Sequence, residues 1–187
     1  MEEKGQFEKD LERAKVWEMK LLKNICEANP ELSTTDYLRL YDVRSLEEYQ
    51  KKDIDFIVKD RDKTLLSIEA KIDFTKYPNF FFEIDRATGE GALFKTESDE
   101  VWFFFTETDS LYRFKTTELK EYLTKTLTEI KEIALKKSKG EGLFPAQIDM
   151  LNWYKPSTNK TNTIGLAIPI ESVIKELSVI NDYKVSK

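Results

Sequence analysis

The sequence predicts a mixed α/β domain whose sheet begins as an antiparallel meander. Three observations lead to it. Short alternating or continuous apolar runs recur between positions 53 and 114. Helical spacing of apolar residues flanks them on both sides, and one further strand-like run precedes a short final helix. The 187 residues are 40% hydrophobic and 12% aromatic, which suffices for a core and is inconsistent with global disorder. That length predicts one domain, 1–187.

Residues 6–28 read as an amphipathic helix that ends at Asn29-Pro30, because proline disfavours helical geometry in the residue before it. A polar and aromatic stretch follows, then a segment at 37–49 whose type the sequence leaves open. Residues 53–59 (DIDFIVK) and 64–73 (TLLSIEAKID) read as strands joined by the charged turn 60–63. Further strands are predicted at 80–84, 101–106 and 111–114, with Gly89 and Gly91 marking a turn. The runs Phe80-Phe81-Phe82 and Trp102-Phe103-Phe104-Phe105 are continuous, as in strands buried on both faces. Thr117 is placed to cap a helix over 118–137, with Glu118 at its positive end. A loop through Lys139-Gly140-Glu141-Gly142 and Pro145 leads to a buried strand at 163–168 and a helix at 169–180.

Composition removes whole classes of chemistry. There is no histidine, which excludes Ser-His-Asp and Cys-His catalysis, His-ligated zinc and histidine bases. Cys26 stands alone, so an intrachain disulfide and a cysteine metal cluster are excluded, and it reads as a small core residue. The net charge of −5 offers no global basic footprint. The amino terminus MEEKGQFEKD is acidic without an apolar signal region, and no apolar run approaches the roughly 20 residues that cross a bilayer. A cytoplasmic location is expected. An enzyme built from this chain must work with carboxylates, lysines and hydroxyls, with or without a hard metal ion.

Such a set lies between positions 55 and 71. Alternation places Glu69, Lys71 and Asp73 on one face of the second strand, with Ile68, Ala70 and Ile72 on the other. In the first strand Asp53 and Asp55 oppose Ile54, Phe56 and Val58. A turn centred near Asp62 sets Asp55 across from Glu69, with an ammonium two residues along. Facing like charges destabilise a sheet unless a cation occupies them, and magnesium takes oxygen ligands of this kind. A solvated polar face on a half-exposed strand remains the alternative.

In the first helix Phe7, Leu11, Ala14, Leu21 and Ile25 form a narrow apolar stripe, and Glu18 projects into its middle. A carboxylate there is costly without a partner. It belongs to a salt bridge, to an exposed helix edge, or to a site, for which the carboxylate hairpin is the candidate.

These residues resemble the PD-(D/E)xK nucleases. That superfamily has the restriction-endonuclease-like fold and includes archaeal Holliday-junction resolvases and many phage nucleases. The matching residues are Asp55, then Glu69-Ala70-Lys71 after a hairpin-sized gap, and Glu18 in the preceding helix. Gln50 also resembles a feature of some members, whereas Ile54 stands where the motif has proline. The order of elements from about 6 to 175 is similar to the family core, a mixed central sheet flanked by helices. The resemblance implies that Asp55, Glu69, the Ala70 carbonyl and Glu18 hold magnesium, or manganese in its place. Lys71 would position or activate the attacking water. It further implies DNA as substrate, 5′-phosphate and 3′-hydroxyl ends, and a homodimer as a possible assembly. A lone domain of this kind suits phage or mobile-element replication, recombination or defence.

Contacts to nucleic acid would need local patches. Candidates are Lys136, Lys137 and Lys139 at a helix end, the run from Trp153-Tyr154-Lys155 to Lys160, and Lys51, Lys52 and Lys76 around the hairpin. Helix capping and ordinary surface loops explain the first two equally well. Glu83 is a candidate for an edge salt bridge or for a place near the metal. Two rival functions stay open, a binding or regulatory protein that keeps the fold without cutting, and an unrelated α/β interaction protein.

Overall fold

A computed structural model describes residues 12, 16–17, 38–60, 62–76, 78–86, 89–155, 163–179 and 183–184. The chain is α/β and divides into two compact units. The first holds residues 1–76, 98–113 and 179–187, and the second 77–97 and 114–178.

The first unit is built on a six-stranded sheet. Its strands are β1 (Leu38–Asp42), β2 (Phe56–Asp60), β3 (Lys63–Asp73), β6 (Glu100–Phe105), β7 (Ser110–Lys115) and β10 (Tyr183–Lys184), in the order β1-β2-β3-β6-β7-β10. β1, β2 and β3 form an antiparallel meander, of which the sequence predicts the β2–β3 hairpin. β3 then pairs parallel with β6, so the sheet is mixed. Between β1 and β2 the chain makes the single-turn helix α1 (Glu47–Gln50). β1 and α1 thus fill the segment 37–49 that the sequence leaves open.

Alternation sorts the side chains to two faces. Phe56, Val58, Ile68, Ala70, Trp102, Phe104 and Leu111 form one buried cluster, against which Trp17, Leu66 and Ile72 pack. Trp17 lies in a helical segment, its ring 5.7 Å from that of Phe104. Val43, Ile54 and Ile57 gather in a second cluster with Tyr49. Every residue from Val101 to Phe105 is buried, as the continuous apolar run predicts. Glu100 accepts hydrogen bonds from Trp102 Nε1 at 2.6 Å and from Arg113 Nε at 3.0 Å, satisfying a mostly buried carboxylate.

The second unit carries a four-stranded antiparallel sheet, β5-β4-β9-β8, formed by β4 (Asn79–Arg86), β5 (Gly89–Glu90), β8 (Tyr154–Lys155) and β9 (Ile164–Pro169). Its helices are α2 (Ala92–Lys95), α3 (Thr116–Ser138), α4 (Pro145–Trp153) and α5 (Ile170–Glu176). β4 therefore does not extend the first meander; it pairs with β9, some 80 residues on. α3 buries Leu119, Tyr122, Leu123, Thr126, Ile130 and Ile133, the i, i+3/i+4 stripe of an amphipathic helix.

Several expectations need correction. α3 begins at Thr116 with Lys115 before it and no side-chain cap, so Thr117 is not its capping residue. Residues 145–153 are helix, not loop. Pro145 sits in the first turn, where its missing N–H costs nothing, and Gln147 Oε1 accepts from the Phe144 N–H at 2.9 Å. Phe81 is 44% exposed although Phe80 and Phe82 are buried. Its ring covers Gly165 on β9, where a Cβ would collide with it. At Gly91 a Cβ would run into the Glu83 carbonyl, so only glycine permits that approach of backbone to backbone. Of the helix expected at 6–28, Glu12, Val16 and Trp17 are described and helical, whereas Glu18 and Cys26 lie outside the described residues. Among the described residues no helix is long and apolar enough to cross a membrane.

Candidate functional site

The site forms where β2 starts beside the middle of β3. α1 closes with the Asp53 N–H donating to the Gln50 carbonyl at 3.2 Å and the Ile54 N–H to Tyr49 at 3.1 Å. Asp53 adopts a left-handed φ of 47°, a conformation that a short polar side chain tolerates better than most. β2 then pairs with β3 through Phe56↔Ile68, Ile57↔Ser67 and Val58↔Leu66. Beyond Val58 the register shifts and Leu65 becomes the extra residue of a bulge, before Asp60↔Lys63 closes the turn.

The regular ladder ends at Phe56↔Ile68, one residue short of Asp55 and Glu69. The ladder is modified at that point. The Asp55 N–H donates to the Ile68 carbonyl at 2.9 Å, and the Ala70 N–H donates to Asp55 Oδ2 at 2.8 Å. A carboxylate has thus taken the place of a backbone acceptor, and that bond ties the first acid to the centre of Glu69-Ala70-Lys71. On the other side the Val43 N–H donates to the Asp55 carbonyl at 3.0 Å.

Glu69 is the most unusual group. It is only 4% exposed, because its β6 neighbour is Val101 and that of Lys71 is Phe103. Burial pushes the Glu69 carboxyl up to about 8, from an ordinary 4.5. Asp55 and Asp53 push the same way by repulsion, whereas Lys71, whose Nζ donates to Glu69 Oε1, pulls it down. The Lys71 side chain is 35% exposed and so bridges the buried acid and solvent.

Ser67, two residues earlier on the same face, is clamped from the other end. Its N–H and Oγ both donate to Asp99 Oδ2 at 2.7 Å. The Asp99 N–H returns a bond to the Ser67 Oγ at 2.9 Å. This reciprocal pair locks β3 to the residue before β6. Nothing in the spacing of Ser67 and Asp99 announces it.

A second group absent from the sequence reading is Arg44. Its guanidinium forks onto Asp42, with Nε 2.9 Å from Oδ1 and Nη2 2.5 Å from Oδ2, and it lies 5.0 Å above the centre of the Phe56 ring. Burial lowers the Arg44 pKa, and the charge of Asp55 acts to raise it. Gln50, the residue resembling a family feature, donates from Nε2 to the Arg44 carbonyl at 2.5 Å and so braces this turn.

The donor set suits a hard divalent ion. Asp55 Oδ1 and Glu69 Oε2 are carboxylate oxygens that no described hydrogen bond uses, and the Ala70 carbonyl belongs to the residue between Glu69 and Lys71. Among the described residues no three Asp, Glu, His or Cys side chains gather to hold a metal. Asp55 and Glu69 are two such side chains, and Glu18, the third acid that the resemblance implies, lies outside the described residues.

The other candidates fall in both units. Lys51, Lys52 and Lys76 are exposed, as are Lys136, Lys137 and Lys139 around the end of α3. Trp153 ends α4 and Tyr154-Lys155 form β8, so these three are not loop residues; Lys160 lies outside the described residues. Glu83 belongs to the second unit, opposite Gly165. Compared with known protein families, curated proteins and solved structures, the chain matches none.

Proposed function

We propose that this chain is a metal-dependent deoxyribonuclease of the PD-(D/E)xK type, with a restriction-endonuclease-like core in its first unit. The observation that carries the reading is the bond from the Ala70 N–H to Asp55 Oδ2 beside a buried Glu69. A buried acid pushed up to about 8 with a second carboxylate facing it gains nothing for the fold. It makes sense as half of a cation site. Asp55, Glu69, the Ala70 carbonyl and Glu18 would hold magnesium, with manganese as a substitute. Bound there, the ion would polarise a phosphodiester and lower the pKa of a bound water.

The chain's own groups do the rest. The Ala70 N–H fixes the Asp55 carboxylate so that it need not reorganise during the reaction. Lys71, held against Glu69 at the edge of solvent, orients the attacking water and stabilises the charge that develops on phosphorus oxygens. Water adds in line and gives up a proton to solvent as the P–O3′ bond breaks. The leaving 3′ oxygen takes up a proton from solvent, and the phosphate stays on the 5′ side.

The test is cleavage of linear, circular, single-stranded and branched DNA with magnesium or manganese, by wild type, Glu69→Ala and Lys71→Ala. Metal-dependent cutting by wild type, lost in both variants, is the expected result. Cutting that survives in Glu69→Ala would refute the assignment, and no cutting on any substrate would favour a binding protein.

A further inference from the structure

An anionic backbone approaching this site meets the acidic side chains of Asp53 and Asp55, and the ammonium of Lys71 is already engaged with Glu69. Beyond the proposed ion, a fixed cation on the protein would strengthen the hold on a phosphodiester there. Arg44 is such a cation through its position. The Val43 N–H fastens the turn to the Asp55 carbonyl, Gln50 braces the Arg44 carbonyl, and the Phe56 ring supports the guanidinium from below. The present partner of Arg44 is replaceable. Asp42 is 41% exposed, so its carboxylate returns to water at little cost, and a guanidinium fork that fits a carboxylate also fits a phosphate.

We propose that Arg44 binds a backbone phosphate of the nucleic acid beside the Asp55–Glu69 pair, exchanging Asp42 for it. The inference rests on the nuclease reading above and adds a substrate-binding residue to it. Asp42 acts as a stand-in anion that keeps the fork shaped until substrate arrives. Arg44 contributes to binding and not to the bond-breaking step.

The experiment is steady-state cleavage of a DNA duplex with magnesium over a range of salt concentrations, by wild type, Arg44→Ala, Arg44→Lys, Asp42→Asn and Asp55→Ala. Arg44→Ala should raise KM about tenfold or more, the loss of a hydrogen-bonded charge pair, with kcat little changed. The slope of log KM against log salt should fall by about 0.9, one phosphate contact fewer. Arg44→Lys should keep the salt slope but recover only part of the affinity, because an ammonium cannot fork. Asp42→Asn, which weakens the competitor, should lower KM; this variant tests the proposal even if Arg44→Ala fails to fold. A merely structural ion pair predicts the opposite pattern, in which Arg44→Ala and Asp42→Asn lose stability together and neither moves the salt slope. An unchanged slope in Arg44→Ala, while Asp55→Ala still abolishes cleavage, overturns the role of Arg44 alone. Cleavage that survives in Asp55→Ala, or is absent from wild type, overturns the nuclease reading and this inference with it.

Discussion

Replacing Glu69 with glutamine keeps the shape of the buried side chain and removes its ionisation, which makes it a sensitive probe of the site. In the unfolded chain this carboxyl ionises near 4.5, whereas in the folded protein burial pushes it to about 8. Below the lower value both states hold the proton and the group favours neither. As the pH rises through the window, only the unfolded chain gains by ionising, so wild-type stability falls between about 4.5 and 8. Each pH unit of that window is worth about 1.4 kcal/mol, and at pH 7 the penalty reaches about 3 kcal/mol. Glu69→Gln escapes it. Urea unfolding in the presence of a chelator should therefore move in favour of the variant by about 3 kcal/mol between pH 4.5 and pH 7. The same stability difference at both pH values would refute the reasoning, since it would mean that Glu69 is ionised in the fold and matched there by Lys71.

Two further outcomes follow from named contacts and a third from the sequence. Asp55→Ala should lose cleavage and cost about 1–3 kcal/mol in urea unfolding, because the Ala70 N–H loses its acceptor; Asp55→Asn, which retains an acceptor, should recover most of the stability but not the activity. Ser67→Ala removes a reciprocal bond with Asp99 and should lower both stability and turnover, with amide exchange accelerated around β3 and β6. Glu18→Leu completes the apolar stripe of the sequence, so a catalytic Glu18 predicts lost cleavage at equal or improved stability, and full activity would remove it from the site.

Much of the first unit was legible because its signals are local. The alternation in DIDFIVK and TLLSIEAKID and the short charged turn between them are enough to bring Asp55 near Glu69. The continuous run Trp102-Phe103-Phe104-Phe105 announces a strand buried on both faces, and the stripe from Leu119 to Ile133 announces α3. What stayed hidden depends on distant partners. β3 finds β6 in parallel and β4 leaves for β9, pairings that no local pattern encodes. Phe81 reads as core until Gly165 appears across the strand pair and takes its ring on the outer face. α4 buries none of its residues and Phe144 before it is 75% exposed, so its pattern lacks the stripe by which a helix is recognised. Within the site, Arg44 and Asp99 act through the folded chain. Arg44 gains its place from a turn that follows β1, and Asp99 from the loop that brings β6 beside β3.

On the nuclease reading, Glu69 stays neutral until a divalent ion draws it into ionisation beside Asp55. Calorimetric titration with manganese at pH 7, repeated in buffers of different ionisation enthalpy, tests it most directly. One ion per site should bind with release of about one proton, because the ligand must be deprotonated, and both the binding and the release should disappear in Glu69→Gln. Binding without proton release, or binding of equal strength in Glu69→Gln, would contradict the claim.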